Sequence, residues 1–280
     1  MVAAGTRCAV LGSPIAHSLS PVLHRAAYAE LGLSDWTYDA VEVREDSLAG
    51  FLDGLDDSWR GLSLTMPLKR TVLPLVDEVS ARAELAGAAN TVVLEGGRRV
   101  VDNTDIPGAA AALRERYAGP VGSAVVLGGG ATATSLLLAL TELGCREAVL
   151  AVRDPARATE TVEAVGRHPD APRLEVVRLD EIGAGTNPAC DVLVSTIPAA
   201  AQTSDLLDRL PLPAVTFEVV YDPWPTPLAA AAAGPLVSGL DLLVHQAVLQ
   251  VELMTGRSVE VEVLRRAGEA ALAERAGAGS

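Results

Sequence analysis

A chain of 280 residues with 49% hydrophobic and 21% charged side chains has the balance of a globular protein, and its length suggests about two domains. Its formal charge of −14 weighs against nucleic acid and anionic membrane surfaces as partners. No apolar run reaches the ~18 residues that a membrane-spanning helix needs, because residues 236–254 are interrupted by Asp241, His245, Gln250 and Glu252. The start of the chain lacks the basic segment of a secretory signal. Cys8, Cys145 and Cys190 have neither zinc-ligand nor disulfide-framework spacing, which fits a reducing cytoplasm. An acidic chain that binds anions must build its positive field locally, from a few lysines, arginines and helix N-termini.

Taken in order, the chain alternates extended and helical periods. Residues 7–12 form a short apolar strand. Ser20 and Pro21 make an N-cap and first-turn pair, followed by Val22, Leu23, Ala26, Ala27 and Leu31 at helical spacing. Residues 36–43 are extended, 47–55 helical, and 62–65 a strand closed by Met66-Pro67. The segments 90–95 and 98–103 flank Gly96-Gly97 as a β-hairpin. A helix over 106–117 ends at Gly119-Pro120. A second block then places strands at 124–127, 148–152, 174–179, 191–196 and 214–220. Helices fall between them at 132–143, closed by Gly144, and at 157–165. From Leu240 onward the pattern is helical, with a break near Gly256. Two successive βα blocks predict an α/β protein with two open, twisted, parallel-type sheets, whose ligands bind beyond the carboxyl ends of the strands.

The loop after the strand at 124–127 is the sharpest local motif. Gly128, Gly129, Gly130, Ala131, Thr132 and Ala133 fit G-x-G-x-x-A between a strand and a helix. That pattern suits a pyrophosphate resting on helix N-terminal amides, although an unliganded glycine turn satisfies it too. Past the next strand, Arg153 and Arg157 lie one helical turn apart and can clasp a 2′-phosphate. Asp154 between them could instead hold a ribose, so the reading favours NADP over NAD without excluding the latter.

Three further polar clusters stand at strand ends in the first half. Ser18 and Ser20 precede a helix, where Ser20 could serve only as its N-cap. Thr65-Met66-Pro67-Leu68-Lys69 ends a strand and sets Lys69 near a helix start, which the helix dipole disfavours unless a polar or anionic ligand is near. Asn90-Thr91 and Asn103-Thr104-Asp105 lie on hairpin strands that antiparallel pairing brings together, and Asp105 could equally cap the helix that follows.

These clusters carry a resemblance. GSPIAHSLSP at 12–21, TMPLK at 65–69, GAANT at 87–91, DNTD at 102–105, YDPWPTP at 221–227 and GLDLLVHQ at 239–246 are similar to the shikimate dehydrogenase family, in order and over nearly the whole chain. The resemblance implies a substrate domain of residues 1–106 plus 239–280, and a Rossmann-type NADP-binding domain of residues 107–238. It also implies a cleft between them that closes on binding. Ser18, Ser20 and Tyr221 are then expected to hold the substrate carboxylate, and Thr65, Asn90, Asp105 and Gln246 its ring hydroxyls. Lys69 and Asp105 are expected to form the catalytic pair. Gly128 to Ala133, Arg153, Arg157, Thr196 and Gly239 fall to the cofactor. The implied reaction is the reversible NADPH-dependent reduction of 3-dehydroshikimate to shikimate, on the route to chorismate and the aromatic amino acids, without a metal, in a monomer or homodimer. A quinate- or aminoshikimate-type dehydrogenase and a non-catalytic NADP(H)-binding sensor are the alternatives. Departures from the family pattern are Ser63, Ala131, Thr134, Asp154, Ser195-Thr196-Ile197-Pro198, Glu218 and Ser238. Most of them fall on the cofactor side.

Overall fold

The computed structural model describes residues 5–183 and 189–278. The elements run β1 (Thr6–Gly12), α1 (Ser20–Glu30), β2 (Trp36–Glu42), α2 (Leu48–Asp53), β3 (Trp59–Leu64), α3 (Leu68–Thr71), β4 (Glu78–Val79), α4 (Ala81–Ala86), β5 (Thr91–Glu95) and β6 (Arg98–Asp102). There follow α5 (Asp105–Arg116), β7 (Ser123–Leu127), α6 (Ala131–Glu142), β8 (Glu147–Val152), α7 (Thr159–Gly166), β9 (Arg173–Arg178), β10 (Cys190–Ser195), α8 (Ser204–Leu207), β11 (Pro213–Glu218), α9 (Pro227–Ala231), β12 (Leu236–Val237), α10 (Gly239–Thr255) and α11 (Val261–Ala278). The chain divides into two compact units, Met1–Thr104 with Leu243–Ser280, and Asp105–Leu242. The sequence reading set the divisions at 106/107 and 238/239. The observed ones fall before the first turn of α5 and within the first turn of α10.

The first unit holds a six-stranded sheet in the order β2-β1-β3-β5-β6-β4. The expectation of a parallel-type sheet needs correction at one strand. β5 is antiparallel to both β3 and β6, while β1–β2, β1–β3 and β4–β6 pair in parallel. The Gly96-Gly97 turn, with φ of 59° and 75°, is short enough only for a reversal of direction. Reversal puts the start of β5 at the same edge as the ends of β1, β3 and β6, and that edge is where the polar clusters gather.

On one face, Leu11, Leu62, Leu64, Val92 and Val101 pack with Leu48, Leu52, Leu68 and Val72. On the other, Cys8, Val10, Tyr28, Tyr38 and Met254 form a second cluster. Helix α10 approaches this sheet so closely that a Cβ on Gly61 would lie 2.5 Å from Met254 Cγ. Gln246, Gln250 and Met254, spaced four apart, make up the stripe of α10 that meets the sheet.

The second unit is a parallel sheet in the order β12-β11-β10-β7-β8-β9. Counted from β7 this is 3-2-1-4-5-6, the doubly wound order of dinucleotide-binding sheets, with its switch point between β7 and β10. Helix α6, whose residues Ala133 to Thr141 are all buried, packs against β7, α5 and α7. Val125, Leu127, Ala151, Leu193 and Ile197 contribute to the core on this sheet. The N-terminus of α10 is set by reciprocal capping. Ser238 Oγ accepts from Asp241 N at 3.1 Å and donates to Asp241 Oδ2 at 2.8 Å, while Arg116 Nη2 donates to Oδ1 at 2.7 Å. Burial alone would raise the Asp241 pKa, but the Arg116 and Ser238 hydrogen bonds outweigh it and hold the carboxyl below its ordinary range. Ser238, a departure from the family pattern, is thus a working cap.

Candidate active site

The edge of the first unit is stitched from three loops. After β1 the chain enters the serine loop through Gly12, where a Cβ would lie 2.4 Å from Thr65 Cγ2 and 2.9 Å from Met66 O. A side chain there would push apart the two loops that follow β1 and β3. The same junction carries hydrogen bonds from Thr65 N to Leu11 O at 2.9 Å and from Ser13 N to Met66 O at 3.0 Å. The serine loop is held from outside by Arg275 Nη1, which donates to His17 O at 2.8 Å.

Ser20 does not act as the cap foreseen for it. Helix α1 begins at Ser20 with Leu19 in the cap position and no side-chain cap bond. Instead Ser18 Oγ accepts from Ser20 N at 3.3 Å. Ser20 is nevertheless buried and Ser18 half-buried, so a hydroxyl at position 20 has no local structural task that explains it.

Lys69 follows the turn after β3, in the one-turn helix α3, and its carbonyl accepts from Ala89 N at 2.7 Å. That bond sets Lys69 beside the start of β5. Asn90, next in the chain, is 2% exposed and is the centre of a side-chain network. Its Oδ1 accepts from Thr104 N at 2.8 Å and from Thr91 Oγ1 at 2.9 Å, and its Nδ2 donates to Thr104 Oγ1 at 2.9 Å and to Gln246 Oε1 at 3.2 Å. The hairpin register pairs Thr91 with Asp102, which brings Asn90 level with Asn103 and Thr104, as antiparallel pairing predicts. Asp102 pins that end of β6, accepting from Ser80 Oγ, Asn103 N and Arg82 Nη2 at 2.5, 2.7 and 2.6 Å. Its burial works against ionisation, but these donors win and lower its pKa.

The structure therefore brings Thr65, Lys69, Asn90 and Gln246 onto one edge of the first unit, along with the serine loop. Asp105 and Tyr221 belong to the second unit, Asp105 as the buried first residue of α5, directly after Thr104 in the chain. The sequence reading placed Ser63 at the strand end that precedes Thr65, and as a departure from the family pattern, but did not single out His24, Tyr38 or Gln250 as part of this edge. Behind it, Ser63 Oγ donates to Gln250 Oε1 at 2.7 Å and Tyr38 Oη donates to Ser63 Oγ at 2.5 Å. Two glutamines four apart in a largely apolar helix were the available signal.

In the second unit, the glycine loop divides its labour. Gly128 has φ +102°, and a Cβ there would lie 2.3 Å from Thr196 Oγ1. A Cβ on Gly129 would lie 2.9 Å from Val152 Cγ1, whereas one on Gly130 would meet nothing within 4 Å. The first two glycines let β7, β8 and β10 converge, and the third leaves open space where α6 begins at Ala131. The first amides of α6, on Ala131, Thr132 and Ala133, form a helix N-terminus suited to an anion. Thr196 Oγ1 donates to Leu127 O at 2.8 Å. A Cβ on Gly239 would lie 2.2 Å from Val219 O, so this glycine is required first of all for close packing against the chain after β11.

The departures on this side have local partners. Thr134, where the family often has arginine, is fully buried. It bonds Thr161 Oγ1 at 2.8 Å, and Thr161 Oγ1 donates to Gly129 O at 2.8 Å, so the two threonines brace the loop from within. Asp154 Oδ1 accepts from Ala156 N at 3.1 Å, capping a short 3-10 turn over Pro155–Ala158 that holds Arg157; α7 itself starts two residues later than the 157 expected. Arg153 and Arg157 are exposed and make no side-chain hydrogen bond or ion pair among the described residues. Glu218 is fully buried at the end of β11, accepting from Gln202 Nε2, Thr226 Oγ1 and Val220 N at 2.6, 3.0 and 3.0 Å. Burial raises its pKa despite those donors.

Burial raises each of the three free thiols, Cys8, Cys145 and Cys190, to about 11, so none is a nucleophile at neutral pH. Among the described residues no group of three or more His, Cys, Asp or Glu could hold a metal ion, and no helix is long and apolar enough to cross a membrane.

Comparison with known proteins gives a consistent picture. Residues 10–92 match the family model of the shikimate dehydrogenase substrate binding domain, and residues 239–267 that of the shikimate 5′-dehydrogenase C-terminal domain. The shikimate dehydrogenase (NADP(+)) of Moorella thermoacetica is 35% identical over 271 residues, covering 92% of this chain and 90% of its own. The crystal structure of Mycobacterium tuberculosis shikimate dehydrogenase is 41% identical with a TM-score of 0.81, covering 95% of this chain and 99% of that one. That of Thermus thermophilus shikimate 5-dehydrogenase in complex with NADP(H) and shikimate is 32% identical with a TM-score of 0.79, covering 95% and 100%.

Proposed function

The chain belongs to the shikimate dehydrogenase family, and from that premise we propose how its own residues carry the reaction. It is an NADP-dependent oxidoreductase that interconverts 3-dehydroshikimate and shikimate, a step of aromatic biosynthesis. The observation that carries the assignment of residues is the Asn90 network. A buried amide, fixed by Thr91, Thr104 and Gln246, stands beside Lys69 at a sheet edge, where an apolar core would have been the cheaper arrangement.

Asn90, Thr65 and Gln246 hold the ring hydroxyls, and Ser18, Ser20 and Tyr221 the carboxylate. NADPH, when bound, supplies a hydride to the ring carbonyl. Negative charge then develops on the carbonyl oxygen, and Lys69 as an ammonium stabilises it and delivers the proton. By the family resemblance, Asp105, the buried first residue of α5, is the second member of the catalytic pair. In the reverse direction neutral Lys69 removes the hydroxyl proton. A substrate lacking one hydroxyl leaves a buried partner unpaired, which supplies selectivity.

The cofactor fits the second unit on two observations, the open space at Gly130 and the two exposed guanidinium groups. The α6 N-terminus takes the pyrophosphate, and Arg153 with Arg157 takes the 2′-phosphate. Three buried thiols suit a reducing cytoplasm.

The test is the absorbance of reduced nicotinamide when shikimate is mixed with NADP or NAD, for the native chain and Arg153→Ala. Turnover is expected with shikimate and NADP, and Arg153→Ala should raise the KM for NADP by about 10-fold while leaving that for NAD nearly unchanged. Binding without turnover would identify a sensor instead, and a higher kcat/KM on quinate would move the substrate. Equal effects of Arg153→Ala on both cofactors would remove the 2′-phosphate assignment.

A further inference from the structure

Behind the Asn90 amide lies a line of buried hydroxyls and amides that the proposed chemistry does not use. Gln250, on α10, touches all of it. Its Nε2 donates to Asn90 O at 3.0 Å and to Thr91 Oγ1 at 3.0 Å, and its Oε1 accepts from Ser63 Oγ at 2.7 Å, with His24 Nε2 at 3.3 Å. We propose that Gln250 is a positioning residue that fixes which face of the Asn90 amide meets the substrate, through a one-way chain of hydrogen bonds running from Tyr38 by way of Ser63 and Thr91. The proposal rests on the reading of Asn90 as a residue that holds a ring hydroxyl.

The direction of the chain follows from groups that have no choice. Asn90 O is a backbone carbonyl and only accepts, so the Gln250 atom beside it is the NH2 group. Gln250 therefore presents its oxygen to Ser63, and Ser63 must donate. The proton that Ser63 Oγ receives comes from Tyr38, a buried phenol that burial keeps protonated far above neutral pH.

At the other end, Thr91 Oγ1 receives a proton from Gln250 and passes its own to Asn90 Oδ1. Thr104 N, a donor only, lands on the same oxygen. Asn90 Oδ1 is thus claimed from two sides, which turns Nδ2 toward Thr104 Oγ1 and Gln246 Oε1. A ring hydroxyl accepting from Nδ2 takes over the 3.2 Å contact to Gln246.

The surroundings agree. Tyr38, His24, Ser63, Thr91 and Gln250 are all buried, and His24 stacks on Tyr38 with ring centroids 3.9 Å apart. Burial keeps His24 neutral, so its Nε2–H is a second donor to Gln250 Oε1 while Nδ1 has no partner. Ser63, a departure from the family pattern, is the link that joins the Tyr38 phenol to the glutamine.

The test is a double-mutant cycle between Gln250→Met, which keeps size and neutrality but removes the hydrogen bonds, and Asn90→Ala. The KM and kcat for shikimate and the KM for NADP are read for each. Gln250→Met alone should raise the shikimate KM about 10-fold, the scale of one hydrogen bond to the substrate, with kcat within about threefold and the NADP KM unchanged. In the Asn90→Ala background the same substitution should add less than about twofold.

Additive effects, or a shikimate KM left at the native value, would overturn the proposal. An Asn90→Ala chain with native shikimate KM would instead sink the reading beneath it. Should Gln250→Met fail to fold, Ser63→Ala tests the same chain, with a KM rise of about threefold expected to vanish in the Asn90→Ala background; persistence there would overturn the proposal equally.

Discussion

The two units build their working edges by opposite means. In the first, function is assigned to side chains drawn from distant parts of the chain, and their hydrogen bonds to one another hold the edge, as between Asn90 and Gln246 or Ser63 and Gln250. In the second, the edge is mainly backbone. Glycines allow strands to meet, a helix N-terminus offers its amides, and Thr134 with Thr161 braces the loop from inside. The difference matches the proposed ligands. A compact polyol needs donors and acceptors at fixed points, whereas a pyrophosphate needs a concentration of N–H groups that any sequence of small residues provides.

The contrast can be broken most easily at Lys69, where one functional group is asked to do the chemistry. Lys69→Ala should lower kcat by at least ~100-fold with a much smaller change in shikimate binding. Steady-state kinetics check this, and near-native turnover would mean that the first unit only binds. The second unit should respond to backbone rather than to side-chain chemistry. Gly128→Ala, at φ +102° and against Thr196 Oγ1, should raise the NADP KM about 10-fold, the scale of a strained residue. Thr132→Ala, which leaves its amide in place, should stay within about twofold. A reversed ranking would show that side chains bind the cofactor after all.

A separate effect, on stability rather than on turnover, is one of pH. Burial pushes His24 in the first unit down to about 3, with the Gln250 hydrogen bond working the other way. The unfolded chain protonates it near 6.5, so stability is lost as pH falls from there towards 3, by up to about 1.4 kcal/mol per pH unit from this group. Glu218 in the second unit is raised by burial. Its contribution is full below the ordinary carboxylate range and is lost as pH climbs through its folded value. Urea midpoints across pH for His24→Phe and Glu218→Gln should therefore diverge from the native chain in opposite senses. Parallel curves would show that neither group titrates as its burial implies.

Legibility in the sequence followed the same division. The second unit could be read almost entirely from periodicity, because each βα turn is local and its glycine loop, strand ends and helix starts lie within a few residues of one another. What failed there was fine, such as the start of α7, delayed by the turn that Asp154 caps.

The first unit was legible in its elements but not in its edge. The Gly96-Gly97 turn announced a hairpin. That β5 also runs against β3 depends on a pairing between segments far apart in sequence. Ser20 was open to a capping role, but Leu19 holds the cap position and Ser18 Oγ accepts from Ser20 N. Gln250 registered only as a polar interruption in a greasy stretch, since its partners Ser63, Thr91 and His24 lie 187, 159 and 226 residues away. Long-range hydrogen bonds leave no periodic trace. The family motifs name the residues to which ligand contacts are assigned, and only the fold reveals what stands behind them.

The reversed strand has one practical corollary. Because β5 starts among the clustered polar groups, its hairpin tip at Gly96-Gly97 must emerge at the opposite rim of the sheet, where both glycines are exposed and a Cβ would meet nothing within 4 Å. A fluorophore or affinity peptide spliced into that tip would sit the length of a strand from the polar edge of the first unit, which makes it a natural handle for immobilising or labelling the chain without disturbing that edge.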